Sequence, residues 1–146
     1  MSKPVLFYGH GSGPHACFSN FYPARFVYDG ITWSCSEQAY MYYKSTDKDY
    51  QKKILATSDP YQVKAMGRKA NLVSNWDEIK YNLMYEIVLA KFSANETLKE
   101  ILLSTGDAPI HEDCKDPWWG GGPNHPSGRD WLGQILMKVR SRLSKE

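Results

Sequence analysis

Apolar residues recur at helical spacing over residues 79–92, the longest such run in the chain. The positions on this face are Ile79, Leu83, Met84, Ile87, Val88, Ala90 and Phe92. A spacing of three and four places these side chains on one side of a helix, where they can pack into a core. Asn75 stands just before the run, at the place expected for a helix N-cap. The pattern predicts a long core helix that begins after Asn75.

Shorter segments on both sides of this run also have helical patterns. Residues 47–57 form a charged segment, and Asp59 with Pro60 has the form of an N-cap followed by a first-turn proline, which predicts a helix to about Ala70. Asn95 can cap a further helix that stops near Gly106. From Asp130 onward, one face is apolar and the basic residues near the end complement the helix dipole. The inner positions of this last helix are Leu132, Ile135, Leu136 and Val139.

Strand patterns are short and few. Asp29-Gly30 separates Phe26–Tyr28 from Ile31–Trp33, which is the pattern of a β-hairpin. Residues 5–8 predict a strand near the start of the chain, and residues 107–111 predict another. Without regular alternation of strands and helices, the chain is expected to adopt an α+β fold, mainly helical with a small β-sheet.

The segment of residues 33–44 follows the hairpin and predicts a helix that begins near Glu37, capped by the hydroxyl of Ser34 or Ser36. Glu37 and Lys44 are two helical turns apart and therefore face the same way, with Tyr40 and other apolar residues between them. Two interpretations stay open from spacing alone. This face is either a functional surface or an ordinary amphipathic face whose charged residues are solvated at its margins.

Composition narrows the function classes. The chain has 146 residues, 42% of them hydrophobic, which is enough for one domain with a sizeable core, and we expect residues 1–146 to form a single domain. A net charge of +2 is too small for a dedicated nucleic-acid binder. Residues 44–70 nevertheless carry seven basic side chains against three acidic ones. That excess predicts either a local phosphate site or a solvated helix surface.

Cysteine and histidine usage gives no framework for a disulfide or a metal. Cys17, Cys35 and Cys114 are odd in number and widely spaced, which favours reduced thiols in a cytoplasm. His10 and His15 lie in the glycine-rich loop of residues 9–15, but two histidines without a third ligand indicate a plain loop rather than a metal site or a phosphate cradle. The apolar run after Met1 is too short for a signal peptide or a membrane span, so no membrane association is expected.

Two aromatic loops have the composition of a binding slot. Asn20 lies within the aromatic loop of residues 18–23, where rings can stack on a flat base while an amide bonds its edge. Trp118 and Trp119 precede three glycines, and glycine allows a ligand to approach the backbone closely. Each loop is equally consistent with simple packing.

Taken together, these pieces follow one another in an order that resembles the NADAR domain, also called the YbiA-like family, over nearly the whole chain. The pieces are residues 18–23, Asp29-Gly30, residues 37–44, Trp76-Asp77, residues 90–92, Asp116, Trp119-Gly120 and residues 132–140. Two places depart from the family pattern: the loop of residues 9–15 is rich in glycine and histidine, and the segment between Glu112 and Asp116 is one residue shorter. These departures affect the expected substrate range.

The resemblance implies an N-glycosidase that hydrolyses the bond between ribose C1 and an amine or base nitrogen. The implied substrates are phosphorylated riboflavin-biosynthesis intermediates, with release of ribose 5-phosphate. A first alternative is removal of ADP-ribose from ADP-ribosylated guanine, in which nucleic acid takes part only as a modified substrate. A second is a non-catalytic module that binds ADP-ribose or a related nucleotide. No metal or organic cofactor is expected.

The resemblance also implies the site residues. The expected catalytic residues are Glu37, Lys44 and Asp116, and the expected substrate-binding residues are Asn20, Phe21, Arg68, Trp76, Lys91, Trp119 and Gly120. Cleavage passes through a cation-like C1, so a carboxylate near the sugar and a proton donor at the leaving nitrogen both favour it. A lysine with a lowered pKa can instead form a Schiff base with the opened ribose. Lys44 and Lys91 are the two candidates for that role.

Overall fold

The helix predicted from the central apolar pattern is the longest element of the computed structural model, which describes residues 3–9 and 11–146. Across these residues the helices are α1 (Ser36–Tyr42), α2 (Lys48–Leu55), α3 (Pro60–Gly67), α4 (Trp76–Ala94), α5 (Glu96–Ser104) and α6 (Trp131–Leu143). The strands are β1 (Val5–Phe7), β2 (Phe26–Tyr28), β3 (Ile31–Trp33) and β4 (Ile110–Glu112), and a 3₁₀ turn covers Ala16–Phe18. The predicted α+β class, mainly helical with little sheet, is confirmed.

The four strands form two separate pairs. β2 and β3 are antiparallel with Phe26 opposite Trp33, and the turn between them has positive φ at both Asp29 (57°) and Gly30 (72°). Such a turn matches the twist of a hairpin, and Asp and Gly tolerate it best. β1 pairs with β4 in parallel, with Phe7 beside Glu112. This second pair joins the first strand of the chain to the last and sets the position of the loop that follows Glu112.

The core lies between α4 and α6, with α1 and the hairpin packed on α4. The predicted inner faces of both helices are buried, including Met84, Ile87, Val88 and Phe92 on α4 and Leu132, Ile135, Leu136 and Val139 on α6. Helical spacing in these two segments therefore identified the core. Two lysines, Lys80 and Lys91, are buried along α4 as well, which the apolar pattern did not predict.

The start of α1 differs from the prediction of a serine cap. Cys35 occupies the N-cap position and makes no side-chain cap bond, while the Ser36 hydroxyl is buried without a partner among the described residues. The first-turn N–H of Glu37 donates instead to the carbonyl of Asn20, at 3.0 Å. A backbone carbonyl from a loop distant in sequence thus binds the first-turn amide that a local serine hydroxyl was expected to bind. α1 also ends at Tyr42, so Lys44 lies just beyond the helix rather than on it.

The other helix boundaries follow the sequence closely. Asp47 and Asp59 accept hydrogen bonds from first-turn amides of α2 and α3, as N-caps do. Asn75 and Asn95 occupy N-cap positions without a side-chain cap bond. The Asn95 amide donates instead to the carbonyls of Lys91 and Arg25. α3 stops at Gly67, three residues before the predicted Ala70. Gly106, with φ of 63°, ends α5 as predicted.

Residues 1, 2 and 10 lie outside the described part of the chain, so the expectations for the extreme N-terminus and for His10 are not addressed by the structure. Of the helices in the described part, none combines the length and the apolar character needed to cross a bilayer. The described residues of the loop 9–15 lead into the 3₁₀ turn rather than into a phosphate-binding helix.

Candidate active site

A cavity of about 780 Å³ opens between α1, α3, the start of α4 and the loop after β4. Eight of the ten expected site residues named above line it: Asn20, Phe21, Glu37, Lys44, Arg68, Trp76, Asp116 and Trp119. Lys91 and Gly120 are not among its lining residues. The residues singled out along the chain are therefore largely brought to one place by the fold.

Glu37 lies on the cavity wall in the first turn of α1 and is only 7% exposed. The solvated-margin interpretation of this residue is therefore wrong. Burial raises the pKa of Glu37 to about 7, with the nearby cations Lys64 and Lys44 lowering it and the carboxylates Glu112 and Asp116 raising it further. At neutral pH this carboxyl can therefore either give or accept a proton, which suits acid–base chemistry.

Lys44 is partly buried on the same cavity wall. Burial lowers its pKa, an effect that Glu37 opposes and that Lys80, Arg68 and Lys64 strengthen. Its Nζ lies 5.9 Å from the centroid of a Trp76 ring. A lysine with a lowered pKa carries more free amine at neutral pH, which is the form that attacks an aldehyde.

Three aromatic rings form a continuous wall. Tyr40 lies between Trp76 and Trp119, with ring centroids 5.0 Å and 5.4 Å away, and the contact with Trp119 is edge-to-face. Trp76 is buried, whereas Trp119 is partly exposed and also packs against Trp131. The wall presents a broad apolar surface of the kind that holds a flat heterocycle.

Basic side chains from α3 occupy another side of the cavity. Lys64 and the following C-cap Arg68 are one turn apart, and both line it. α3 can approach α1 this closely because residue 67 is glycine, where a Cβ would collide with the Met41 sulfur. Within the described residues, neither Lys44, Lys64 nor Arg68 has a carboxylate within salt-bridge distance. Three unpaired cations beside one cavity favour an anionic ligand such as a phosphate.

Asn20 and Phe21 reach the cavity from the loop after the 3₁₀ turn. The Asn20 side chain is 9% exposed, and its Oδ1 has no hydrogen-bond partner among the described residues. A buried acceptor left unpaired is costly, so a donor on a bound ligand would satisfy it. Phe21 packs edge-to-face on Tyr61, and the Lys64 Nζ lies 5.6 Å from the centroid of the Phe21 ring.

Asp116 lies at the exposed rim of the cavity. Its Oδ1 accepts from the backbone N–H groups of Trp118 (2.8 Å) and Trp119 (3.0 Å), which fixes the turn that presents both indoles. Gly120 is buried behind this turn, where a Cβ would collide with the carbonyl oxygen of Cys114. Glycine is therefore needed at residue 120 for close packing of the turn, whereas its predicted contact with substrate has no support from its position.

Lys91 was expected to contact substrate, but it is not among the residues that line the cavity. It is 1% exposed, and its Nζ donates to the carbonyls of Cys17 (2.6 Å) and Ser19 (3.0 Å). Burial lowers its pKa to about 8. The ammonium thus holds the loop that carries Asn20 from behind, so Lys91 positions the wall rather than lining it.

Sequence reasoning missed several residues of the cavity. Glu112, Lys80 and Tyr61 line it and were not singled out, whereas Trp118 and Lys64 line it from the predicted aromatic slot and the predicted basic segment. Lys80 is 5% exposed, paired with Asp77 at 2.9 Å, and its Nζ lies 3.5 Å from a Trp118 ring centroid. Its spacing of four from Met84 on the buried face of α4 was the available signal. Glu112 gave none, because its position depends on the β1–β4 pairing.

Comparisons with known proteins identify the family of this chain. The family model of the NADAR domain matches residues 6–144. The chain is 32% identical over 149 residues to the N-glycosidase YbiA of Escherichia coli (strain K12), which covers all of this chain and 92% of that protein. It is 35% identical over 136 residues to the N-glycosidase Npun_R5314 of Nostoc punctiforme, which covers 89% of this chain and 86% of that protein.

Two further similarities concern a longer protein and a solved structure. The riboflavin biosynthesis protein VVA0006 of Vibrio vulnificus is 36% identical over 149 residues, but the chain spans only 40% of its length. The NMR structure of E. coli YbiA superposes with a TM-score of 0.86 at 30% identity, which covers 99% of this chain and 88% of that one. The relatives named N-glycosidase match over most of their own length, and the chain is an N-glycosyl hydrolase. By family match, relatives and structure alike, the chain belongs to the NADAR domain family.

Proposed function

We propose that the chain hydrolyses the bond between ribose C1 and an amine nitrogen in phosphorylated intermediates of riboflavin biosynthesis, and that it releases ribose 5-phosphate. The relative named as a riboflavin biosynthesis protein supports this substrate class, and the relative named as an N-glycosidase supports the reaction. The observation that carries the proposal is the buried Glu37, whose pKa is raised to about 7 beside an aromatic wall and unpaired cations.

Each part of the cavity has a task in this reaction. Lys64 and Arg68 bind the 5′-phosphate, and Tyr40, Trp76 and Trp119 hold the pyrimidine. Glu37 lies where it can stabilise the cation-like C1 or take a proton from the attacking water. The unpaired Oδ1 of Asn20 accepts a hydrogen bond from the substrate.

A binding module without catalysis is disfavoured by the same residues. Burial penalises the charged form of Glu37, and its charge repels an anionic ligand. A protein that only binds phosphate-containing nucleotides gains nothing from such a carboxyl. Acid–base chemistry gives a reason for it.

The experiment compares substrates that differ in the group on C1. The protein is incubated with 5-amino-6-ribosylaminopyrimidine 5′-phosphate, with its dephosphorylated form and with ADP-ribosyl-guanosine, and sugar release is followed. We expect turnover of the phosphorylated ribosylamine and a higher KM without the phosphate. Lys64→Met and Arg68→Met should remove most of that difference, while Lys53→Met, on the exposed face of α2, serves as the matched control.

Turnover of ADP-ribosyl-guanosine alone would replace the proposed substrate by the ADP-ribosylated one. Binding of all three compounds without release of sugar would indicate a binding module and contradict the proposal.

A further inference from the structure

Glu112 is a further carboxyl in the cavity that Glu37 lines. It is the last residue of β4 and lies beside Phe7 in the parallel pair with β1. Its backbone carbonyl accepts from the N–H of Gly121 (3.0 Å), which ties it to the turn that carries Trp118 and Trp119. These two attachments fix the backbone from which the Glu112 side chain enters the cavity.

The balance of charges differs between Glu112 and Glu37. Glu37 has two cations near it, Lys64 and Lys44, which favour its ionised form, and two carboxylates, Glu112 and Asp116, which oppose it. Near Glu112, the carboxylates Asp116 and Asp130 favour the protonated form, while Lys64 and the hydrogen bond with Cys114 favour the ionised form. Groups that face Glu112 from the surrounding elements are Glu37, Lys64, Cys114, Asp116 and Asp130. Burial raises both pKa values to about 7, and the second cation, Lys44, favours Glu37 as the ionised partner of a pair that can divide an acid–base reaction.

Asp116 is less suited to giving the proton. It lies at the exposed rim, and its Oδ1 already accepts two backbone hydrogen bonds from the turn that carries Trp118 and Trp119. Glu112 is partly buried, and burial together with the charge of Asp116 raises its pKa to about 7. At neutral pH a substantial fraction of Glu112 therefore carries the proton that the leaving nitrogen needs.

We propose that Glu112 is a further catalytic residue, the general acid that protonates the leaving nitrogen while Glu37 acts at the sugar carbon. The inference rests on the proposed function. The Glu112 O–H gives its proton to the nitrogen as the C1–N bond breaks, and the electron pair of that bond stays on nitrogen. A water oxygen then bonds to C1 and its proton passes to Glu37, so one water is consumed and one amine is released. The proton on Glu37 exchanges back to Glu112 through solvent.

The test compares leaving groups that differ in their need for a proton. Glu112→Gln keeps the shape of the side chain and removes the acid. We expect kcat on the ribosylaminopyrimidine 5′-phosphate to fall about 100-fold or more with little change in KM, since general acid catalysis contributes about 10²–10⁴-fold. On 4-nitrophenyl ribofuranoside 5-phosphate, whose phenolate leaves without a proton, kcat should change little. Glu100→Gln, an exposed carboxyl on α5, is the matched control.

A pH profile gives a second readout that a structural role would not move. Loss of the proton from Glu112 should make wild-type kcat fall as the pH rises above about 7, and Glu112→Gln should abolish this alkaline limb. Glu112→Asp keeps an acid and should retain the limb at reduced rate. Equal losses on both substrates, or an unchanged alkaline limb in Glu112→Gln, overturn the proposal. A wild-type protein inactive on the ribosylamine contradicts the proposed function itself, and the proposal for Glu112 with it.

Discussion

Replacing Glu37 by glutamine should make the fold more stable at alkaline pH while it lowers turnover. The substitution keeps size and hydrogen-bonding atoms and removes only the charge. Burial raises the pKa of Glu37 from 4.5 to about 7, so the folded protein holds this proton more tightly than the unfolded chain does. The stabilising effect of that proton is complete below pH 4.5 and is lost as the pH rises through about 7.

The size of the effect follows from the pKa difference. Each pKa unit corresponds to about 1.36 kcal/mol, so ionising Glu37 in the folded state costs about 3 kcal/mol by pH 8. Glutamine stays neutral and avoids this cost. The free energy of unfolding of Glu37→Gln, relative to wild type, should therefore increase by up to about 3 kcal/mol between pH 5 and pH 8. For a chain of this length, each kcal/mol corresponds to about 2–4 °C in Tm.

Urea unfolding of wild type and variant at pH 5, 6, 7 and 8 measures the difference. Glu100→Gln is the control, because an exposed carboxyl should give the same small difference at every pH. Glu112→Gln should behave like Glu37→Gln, and the double variant should gain less than the two single gains together, since each charge raises the cost of the other. If the difference in unfolding free energy between Glu37→Gln and wild type does not change with pH, the raised pKa of Glu37 in the folded protein is contradicted.

The remaining predictions concern the wall, the amine and the buried lysine. Trp119→Ala should raise KM while it destabilises the fold by less than the roughly 3–5 kcal/mol of a buried tryptophan, because Trp119 is partly exposed. A large stability loss with unchanged kinetics would make Trp119 a core residue. Borohydride added during turnover, followed by peptide mass mapping, should show no ribosyl adduct on the active enzyme, because water attacks C1 directly. A ribosyl adduct on Lys44 would mean that a Schiff base precedes the attack of water and would contradict direct hydrolysis. Lys91→Met should cost about 1–3 kcal/mol in unfolding free energy, because it leaves two carbonyls without donors. A cost no larger than that of Lys53→Met would contradict this.

Local patterns predicted the parts of the fold that depend on neighbours in sequence. The hairpin follows from Asp29-Gly30 between two alternating runs, and the buried faces of α4 and α6 follow from helical spacing. Fold class and the grouping of Glu37 with Lys44 were predicted in the same way. The resemblance to a family then supplied most of the other cavity residues.

Contacts between segments that are distant in sequence could not be predicted from local patterns. The predicted serine cap of α1 is absent because the Glu37 N–H donates to the carbonyl of Asn20 instead. Lys91 was expected to contact substrate, but the carbonyls that it binds belong to a turn more than seventy residues earlier. Glu112 enters the cavity only because β4 pairs with the first strand of the chain. Neither the hydrogen bonds of Lys91 nor the β1–β4 pairing leaves a pattern in the local sequence.

The most direct test of the account is the rate of ribose 5-phosphate release from 5-amino-6-ribosylaminopyrimidine 5′-phosphate at pH 7. Wild type and Glu37→Gln are compared, and circular dichroism and urea unfolding show that both are folded. We expect steady release of ribose 5-phosphate by wild type and a loss of at least about 100-fold in kcat/KM for Glu37→Gln. A folded Glu37→Gln protein with near-native turnover would contradict the central role of this buried carboxyl.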